Sequence, residues 1–150
     1  MTNNKKESIF VFGSSGRTRK KLETVLQHKH LIIRAEVENP PKDTDLINEW
    51  MKNLVDKIGM KILMGPYSVY SNMVGNQGLT AVTIIETSHI AMHVWDAVSP
   101  GLMEFDVYTC STLNPQDILD EMEQFSPTKI EYFFIDRENT LTVLEEKKVA

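Results

Sequence analysis

Glu86-Thr87-Ser88-His89-Ile90-Ala91-Met92-His93-Val94-Trp95, with Phe105-Asp106-Val107-Tyr108-Thr109-Cys110 a little further on, decides the fold. Side chains of a strand alternate faces, so His89, Ala91, His93 and Trp95 share one side while Ile90, Met92 and Val94 share the other. In the second stretch Asp106, Tyr108 and Cys110 lie on one side and Phe105, Val107 and Thr109 on the other. The run 79–86 is rich in β-branched residues and reads as a strand, which leaves Thr87-Ser88 at a junction of two strands. If these strands pair, a serine, two histidines and the single cysteine of the chain occupy neighbouring positions.

Outward from there, the apolar side of this sheet needs a cover. Residues 44–58 supply one: Leu46, Ile47, Trp50, Met51, Leu54, Val55 and Ile58 recur every three or four residues, which predicts a helix with one stripe against a sheet, ended by Gly59. Asn114 is a good N-cap and Pro115 suits the first helical position, opening a second helix through Phe125 with Ile118, Leu119, Met122 and Phe125 inward. Residues 30–38, 60–64 and 129–136 read as further strands, and 65–78 as a polar, glycine-containing loop. The expected fold is α+β, a two-layer sandwich of an antiparallel sheet with helices on one face.

Residues 1–28 read as an extension of strand (8–12), turn and basic helix (18–27). Its Gly13-Ser14-Ser15-Gly16 turn lacks the Gly-Lys-Ser/Thr ending of a phosphate-binding loop, so a solvated basic helix is the better reading. Residues 29–137 form the main domain, and 138–150 a charged, solvated or frayed tail.

At 150 residues the chain can bury a core without disulfides or a metal. One cysteine permits no internal disulfide, and no stretch is long and apolar enough to span a membrane, so a reducing, cytoplasmic setting is expected. Sixteen Lys and Arg against twenty-one Asp and Glu give a net charge of −5, which disfavours nucleic acid as a partner. Histidines at 28, 30, 89 and 93 and one cysteine show no structural-zinc spacing, so no metal is expected.

The two opening stretches resemble the small, single-repeat S-adenosylmethionine decarboxylases, a pyruvoyl-dependent family that makes its cofactor by cutting its own chain at a serine. The family pattern is a hydroxyl residue opening a β-branched strand, a Ser-Glu-Ser-His turn, a histidine five residues after the scissile serine, and an Asp-hydrophobic-aromatic-Thr-Cys strand. Here Thr80, Ser88, His93 and the run Asp106 to Cys110 match it, and His30-Leu31-Ile32-Ile33 resembles the family's first strand. The likeness spans roughly residues 30 to 137.

The resemblance implies that Ser88 attacks the carbonyl of Thr87, that Thr80 steadies the oxyanion, and that His93 acts as processing base. The chain would part between Thr87 and Ser88 and leave a pyruvoyl group in place of Ser88. That ketone would form a Schiff base with a substrate amine and take up the electrons released as carbon dioxide leaves, with Cys110 as proton donor. Decarboxylated S-adenosylmethionine, an aminopropyl donor for polyamine synthesis, would be the product, and a homodimer the form. Candidate substrate contacts are Glu86, Asp96, Tyr67, Tyr70 and Glu36.

Three positions depart from the pattern. Thr87 stands where the family has glutamate, with Glu86 one place earlier, and Ala97 stands at the glutamate that holds the ribose hydroxyls, with Asp96 next door. The family's Ala-Glu in the first strand matches Ala35-Glu36 after a two-residue slip, which keeps the face. Two rival readings follow: a pyruvoyl decarboxylase of another amino acid such as ornithine or arginine, and an unprocessed homologue that binds a ligand or a partner.

Overall fold

The structure is a computed structural model that describes residues 27–86 and 88–148. Thr87, the strand expected at 8–12 and nearly all of the helix expected at 18–27 lie outside the described residues. In chain order the elements are β1 (Lys29–Val37), α1 (Thr44–Lys57), β2 (Ile62–Ser71), β3 (Gly78–Ile85), β4 (Ser88–Trp95), β5 (Gly101–Thr109) and α2 (Pro115–Met122). A 3-10 turn (Glu123–Phe125), β6 (Pro127–Asp136) and β7 (Thr142–Lys147) follow. Among the described residues the strands form one sheet in the order β2-β3-β4-β5-β1-β6-β7, with every neighbouring pair antiparallel.

Local sequence fixes where the helices start. Asp43 Oδ1 accepts from the amides of Asp45 (2.8 Å) and Leu46 (3.1 Å), and Asn114 Oδ1 accepts from the amide of Gln116 (3.2 Å), so each cap satisfies donors that have no partner within the helix. The apolar side of the sheet meets both helices: Leu31, Ile33, Ile90, Met92, Phe105 and Val107 are buried with Met51, Leu54, Ile118 and Met122 in one core. Trp50 ties the layers together. Its ring packs edge-on against Phe105 and Phe125, at 5.6 and 5.1 Å between centroids, and its indole N–H donates to the Glu121 carbonyl. Fully burying each such side chain is worth roughly 1.5–3 kcal/mol.

The α+β two-layer sandwich stands as expected, with three local differences. Leu46 is 71% exposed, because it sits in the first turn of α1 outside the stripe that meets the sheet. The stretch expected as a loop from 65 to 78 is mostly strand. β2 continues to Ser71 through Gly65-Pro66, with register shifts between Ile62 and Met64 and between Met64 and Tyr67. It is an edge strand, where a proline costs no ladder bond if its nitrogen faces outward and a bulge absorbs the kink. Lastly, residues 142–147 of the expected frayed tail pair with β6, from Asp136↔Thr142 to Tyr132↔Lys147.

Among the described residues no helix or strand covers the other face of the sheet. It carries His30, Ile32 and Arg34 from β1, Thr80, Val82 and Ile84 from β3, and His89 and His93 from β4; Asp106 and Tyr108 from β5 and Phe133 from β6 complete it. Ile32, Val82, Ile84 and Phe133 are exposed there. Among the described residues no helix is long and apolar enough to cross a membrane.

Candidate active site

Ser88 opens β4 opposite Ile85, and Cys110 follows the last residue of β5, whose Tyr108 pairs with His89. That register closes the two ends on each other. The Cys110 amide donates to Ser88 Oγ at 3.0 Å, and the Ser88 hydroxyl points at Cys110 Sγ at 3.7 Å. β5 runs between β4 and β1, so the thiol has Ser88 on one flank and His28, just before β1, on the other; His28 Nδ1 stands 3.6 Å from the sulfur and 3.0 Å from the Tyr108 hydroxyl.

Beside this pair lies a polar cluster on the open face. Asp106 accepts from His30 Nε2 at 2.6 Å and contacts His89 Nε2 at 3.1 Å. Arg137 Nη1 lies 3.1 Å from His30 Nδ1, on the side of the ring away from Asp106. The Arg137 guanidinium also covers the Tyr108 ring at 4.3 Å. Burial pushes the Asp106 carboxyl up, but the hydrogen bond and charge of His30, followed by those of His89, outweigh it and hold the group below the usual carboxylate value. Among the described residues no cluster of histidine, cysteine and carboxylate is arranged to hold a metal ion.

Thr80 and His93 face each other across β3 and β4, with Oγ1 3.1 Å from Nδ1. They do not join Ser88. Five residues of strand, at about 3.3 Å each, put His93 roughly 16 Å along β4 from Ser88, so the Thr80–His93 pair and the Ser88–Cys110 pair stand at opposite ends of one strand. The His93 end also carries Tyr70, whose hydroxyl donates to both Asp96 oxygens at 2.8–2.9 Å. Lys42 pairs with the same carboxylate at 3.3 Å, and the Asp96 side chain is only 3% exposed. The carboxylate is thus committed to Tyr70 and Lys42. Glu36 is at this end too, 3.4 Å from Arg34 and opposite Leu102 across the strands. Tyr67 is exposed on β2, while Glu86 stands in the turn before Ser88 with its amide on the Lys61 carbonyl. Thr87 lies outside the described residues.

A groove of about 640 Å³ crosses the open face between the two ends, lined by Arg34, Ala91, His93, Glu104, Asp106 and Phe133 among others. Two groups escape the sequence reading. His28 precedes the first strand at no motif spacing, and the Asp106 bridge between two imidazoles comes from three strands that only the sheet order brings together. Alternation alone would have placed His30, His89 and Asp106 on one face.

The family model described as S-adenosylmethionine decarboxylase matches residues 29–138. An S-adenosylmethionine decarboxylase proenzyme of Methanococcus maripaludis is 31% identical over 93 residues, 61% of this chain and 71% of that protein. One from Pyrobaculum arsenaticum is 41% identical over 64 residues, 41% of this chain and half of that protein. The crystal structure of the adenosylmethionine decarboxylase from Aquifex aeolicus superposes with a TM-score of 0.58 at 20% identity, covering 82% of this chain and 98% of that one, a likeness of fold.

Proposed function

The chain belongs to the S-adenosylmethionine decarboxylase family of carboxy-lyases, and on that premise we propose that it is a proenzyme that cuts itself between Thr87 and Ser88 and decarboxylates S-adenosylmethionine. The observation that carries this reading is the clasp on Ser88. A nucleophilic hydroxyl at a strand end accepts a hydrogen bond from the Cys110 amide and lies against the Cys110 thiol, so the atom that starts the cleavage and the atom that would later donate a proton are neighbours.

The residues present fit a pyruvoyl group, which would arise from Ser88 itself. Such a group supplies an electron sink for the loss of carbon dioxide from an amine-bearing substrate. Ser88 Oγ attacks the preceding carbonyl, turning an amide into an ester. A base then takes the Ser88 Cα proton and the ester oxygen leaves as the Thr87 carboxylate; the dehydroalanine left at 88 tautomerises to an imine, which water hydrolyses to the ketone with release of ammonia. His93 suits that base: with its Nδ1–H given to Thr80 Oγ1, its Nε2 keeps a lone pair. Cys110 holds a proton ready beside residue 88, and because that work needs a reduced thiol, we place the protein in the cytoplasm. The product would be an aminopropyl donor for polyamine synthesis.

His93 and Thr80 reach Ser88 only from a second copy. The half-sites lie at opposite ends of β4, and the open face between them exposes Ile32, Val82, Ile84 and Phe133, so two copies meeting by this face about a two-fold axis would set each Ser88 against the partner's His93 end. A homodimer sharing its sites is therefore part of the proposal.

One observation favours a second substrate reading. By the family resemblance Ala97 stands where a glutamate would hold the ribose, and Asp96 is buried against Tyr70 and Lys42, which suits a smaller amino acid such as ornithine or arginine. Intact-mass measurement of the denatured protein beside a Ser88→Ala control tests the core of the proposal. Two fragments meeting at Thr87/Ser88, absent from the control, support it; a single uncut chain after long incubation would leave a homologue that binds a ligand or partner. Borohydride trapping with each candidate amine then separates the two substrates.

A further inference from the structure

His28 lies one residue ahead of the span that matches the family, and nothing in the family pattern assigns it a task. The fold nonetheless holds it against the thiol. Its carbonyl accepts the Arg137 amide at 2.8 Å, its ring stacks on Tyr108 at 6.4 Å and 24°, and its Nδ1 meets the Tyr108 hydroxyl and Cys110 Sγ. We propose that His28 is a positioning residue for Cys110, aiming the thiol and restoring its proton between turnovers, an inference that rests on the decarboxylase reading given above.

The geometry supplies both parts. Nδ1 carries either one lone pair or one proton, yet has two partners within reach, so the ring is anchored by Tyr108 while it can exchange a proton with sulfur. When Cys110 protonates the substrate carbon, the S–H bond breaks, a C–H bond forms and the electron pair stays on sulfur. A His28 imidazolium then gives up its Nδ1 proton: N–H breaks, S–H forms, and the neutral ring takes its next proton from water. The same contact in its other proton arrangement, sulfur without its proton beside the ring that has taken it, is the form an alkylating agent attacks.

The groups facing His28 are Tyr108 of β5 and Cys110 just after it, Ser88 of β4 across the sulfur, Asp136 at the end of β6 and Arg137 just after it. The Asp136 carboxyl is held below its usual value first by the Glu138 amide and then by Lys29, with His28 a smaller contributor. Lys29 is engaged with that carboxylate at 2.9 Å, while the His28 ring is in contact with the sulfur.

Cys110 is the single cysteine of the chain, so alkylation by iodoacetamide, followed by intact mass, reports it alone. His28→Asn keeps a polar atom near the Nδ1 position but has no proton it can exchange by titration, and His28→Ala removes both functions; circular dichroism checks that each folds. At about pH 6 the alkylation rate should fall roughly tenfold in both variants relative to the unaltered protein, with the rates converging above about pH 9. In the cut enzyme, His28→Asn should lower kcat more at about pH 6 than at about pH 8, with KM unchanged. Superimposable alkylation profiles in a folded variant overturn the role of His28 alone. An unaltered protein that never cuts itself instead defeats the decarboxylase reading and, with it, the catalytic sense of this role.

Discussion

The Cys110 main-chain amide, not its side chain, makes the 3.0 Å hydrogen bond to Ser88 Oγ. Removing the sulfur therefore leaves Ser88 held. Cys110→Ala should still cut between Thr87 and Ser88, while decarboxylation falls about 10²- to 10³-fold for loss of a positioned proton donor. Intact mass and release of carbon dioxide from labelled substrate measure the two separately. An uncut Cys110→Ala chain would show that the sulfur takes part in cleavage itself.

Half-sites at opposite ends of β4 predict complementation. Ser88→Ala chains cannot be cut but carry His93, and His93→Asn chains keep Ser88 but lack the base. Each variant alone should stay whole, whereas co-expression should cut the His93→Asn chains and never the Ser88→Ala chains. If the His93→Asn chains stay uncut in the mixture, the partner does not supply the base.

Tyr70→Phe removes a donor from a carboxylate that is almost wholly buried. The phenol is held above its ordinary pKa, first by its hydrogen bond to Asp96 and then by burial, so it stabilises the fold below about pH 10 and loses that contribution as pH rises through the folded value. The variant should melt a few degrees lower at neutral pH, and the gap should shrink at high pH. Equal Tm values at neutral pH would mean that Lys42 alone satisfies Asp96.

Asp106 titrates on the acid side. Its folded pKa is depressed, so its contribution to stability is complete above the unfolded value near 3.9 and is lost as pH falls through the lower folded value. Asp106→Asn should therefore lose less Tm than the unaltered protein between about pH 5 and pH 3. A steeper loss in the variant would contradict the bridge to His30 and His89.

Much of this was readable in the residues. Alternation across 88–95 and 105–109 gave both faces of β4 and β5, and the stripe from Ile47 to Val55 gave the helix that covers them, because one-sided burial imprints its period on a sequence. Edge strands leave no such print. Every residue of β7 is exposed, and β2 carries Gly65-Pro66, so backbone pairing holds both without an apolar pattern. The Ser88–Cys110 contact follows the motif, but the distance of His93 does not: in sequence it is five residues from Ser88, and only the extended backbone turns that into roughly 16 Å. His28 had no signal, since it depends on β1 being inserted between β5 and β6.

That insertion bears on what a cut would do. Residues before the break supply β1, β2 and β3, and residues after it supply β4 to β7, yet in the sheet β1 lies between β5 and β6. The two pieces would be interleaved like clasped fingers. Separating them means tearing three ladders, β3 from β4 and β1 from both β5 and β6, so the broken chain would stay one body without any bond across the gap. A chain cut at that junction would keep its fold because its two pieces are woven through each other rather than stacked end to end.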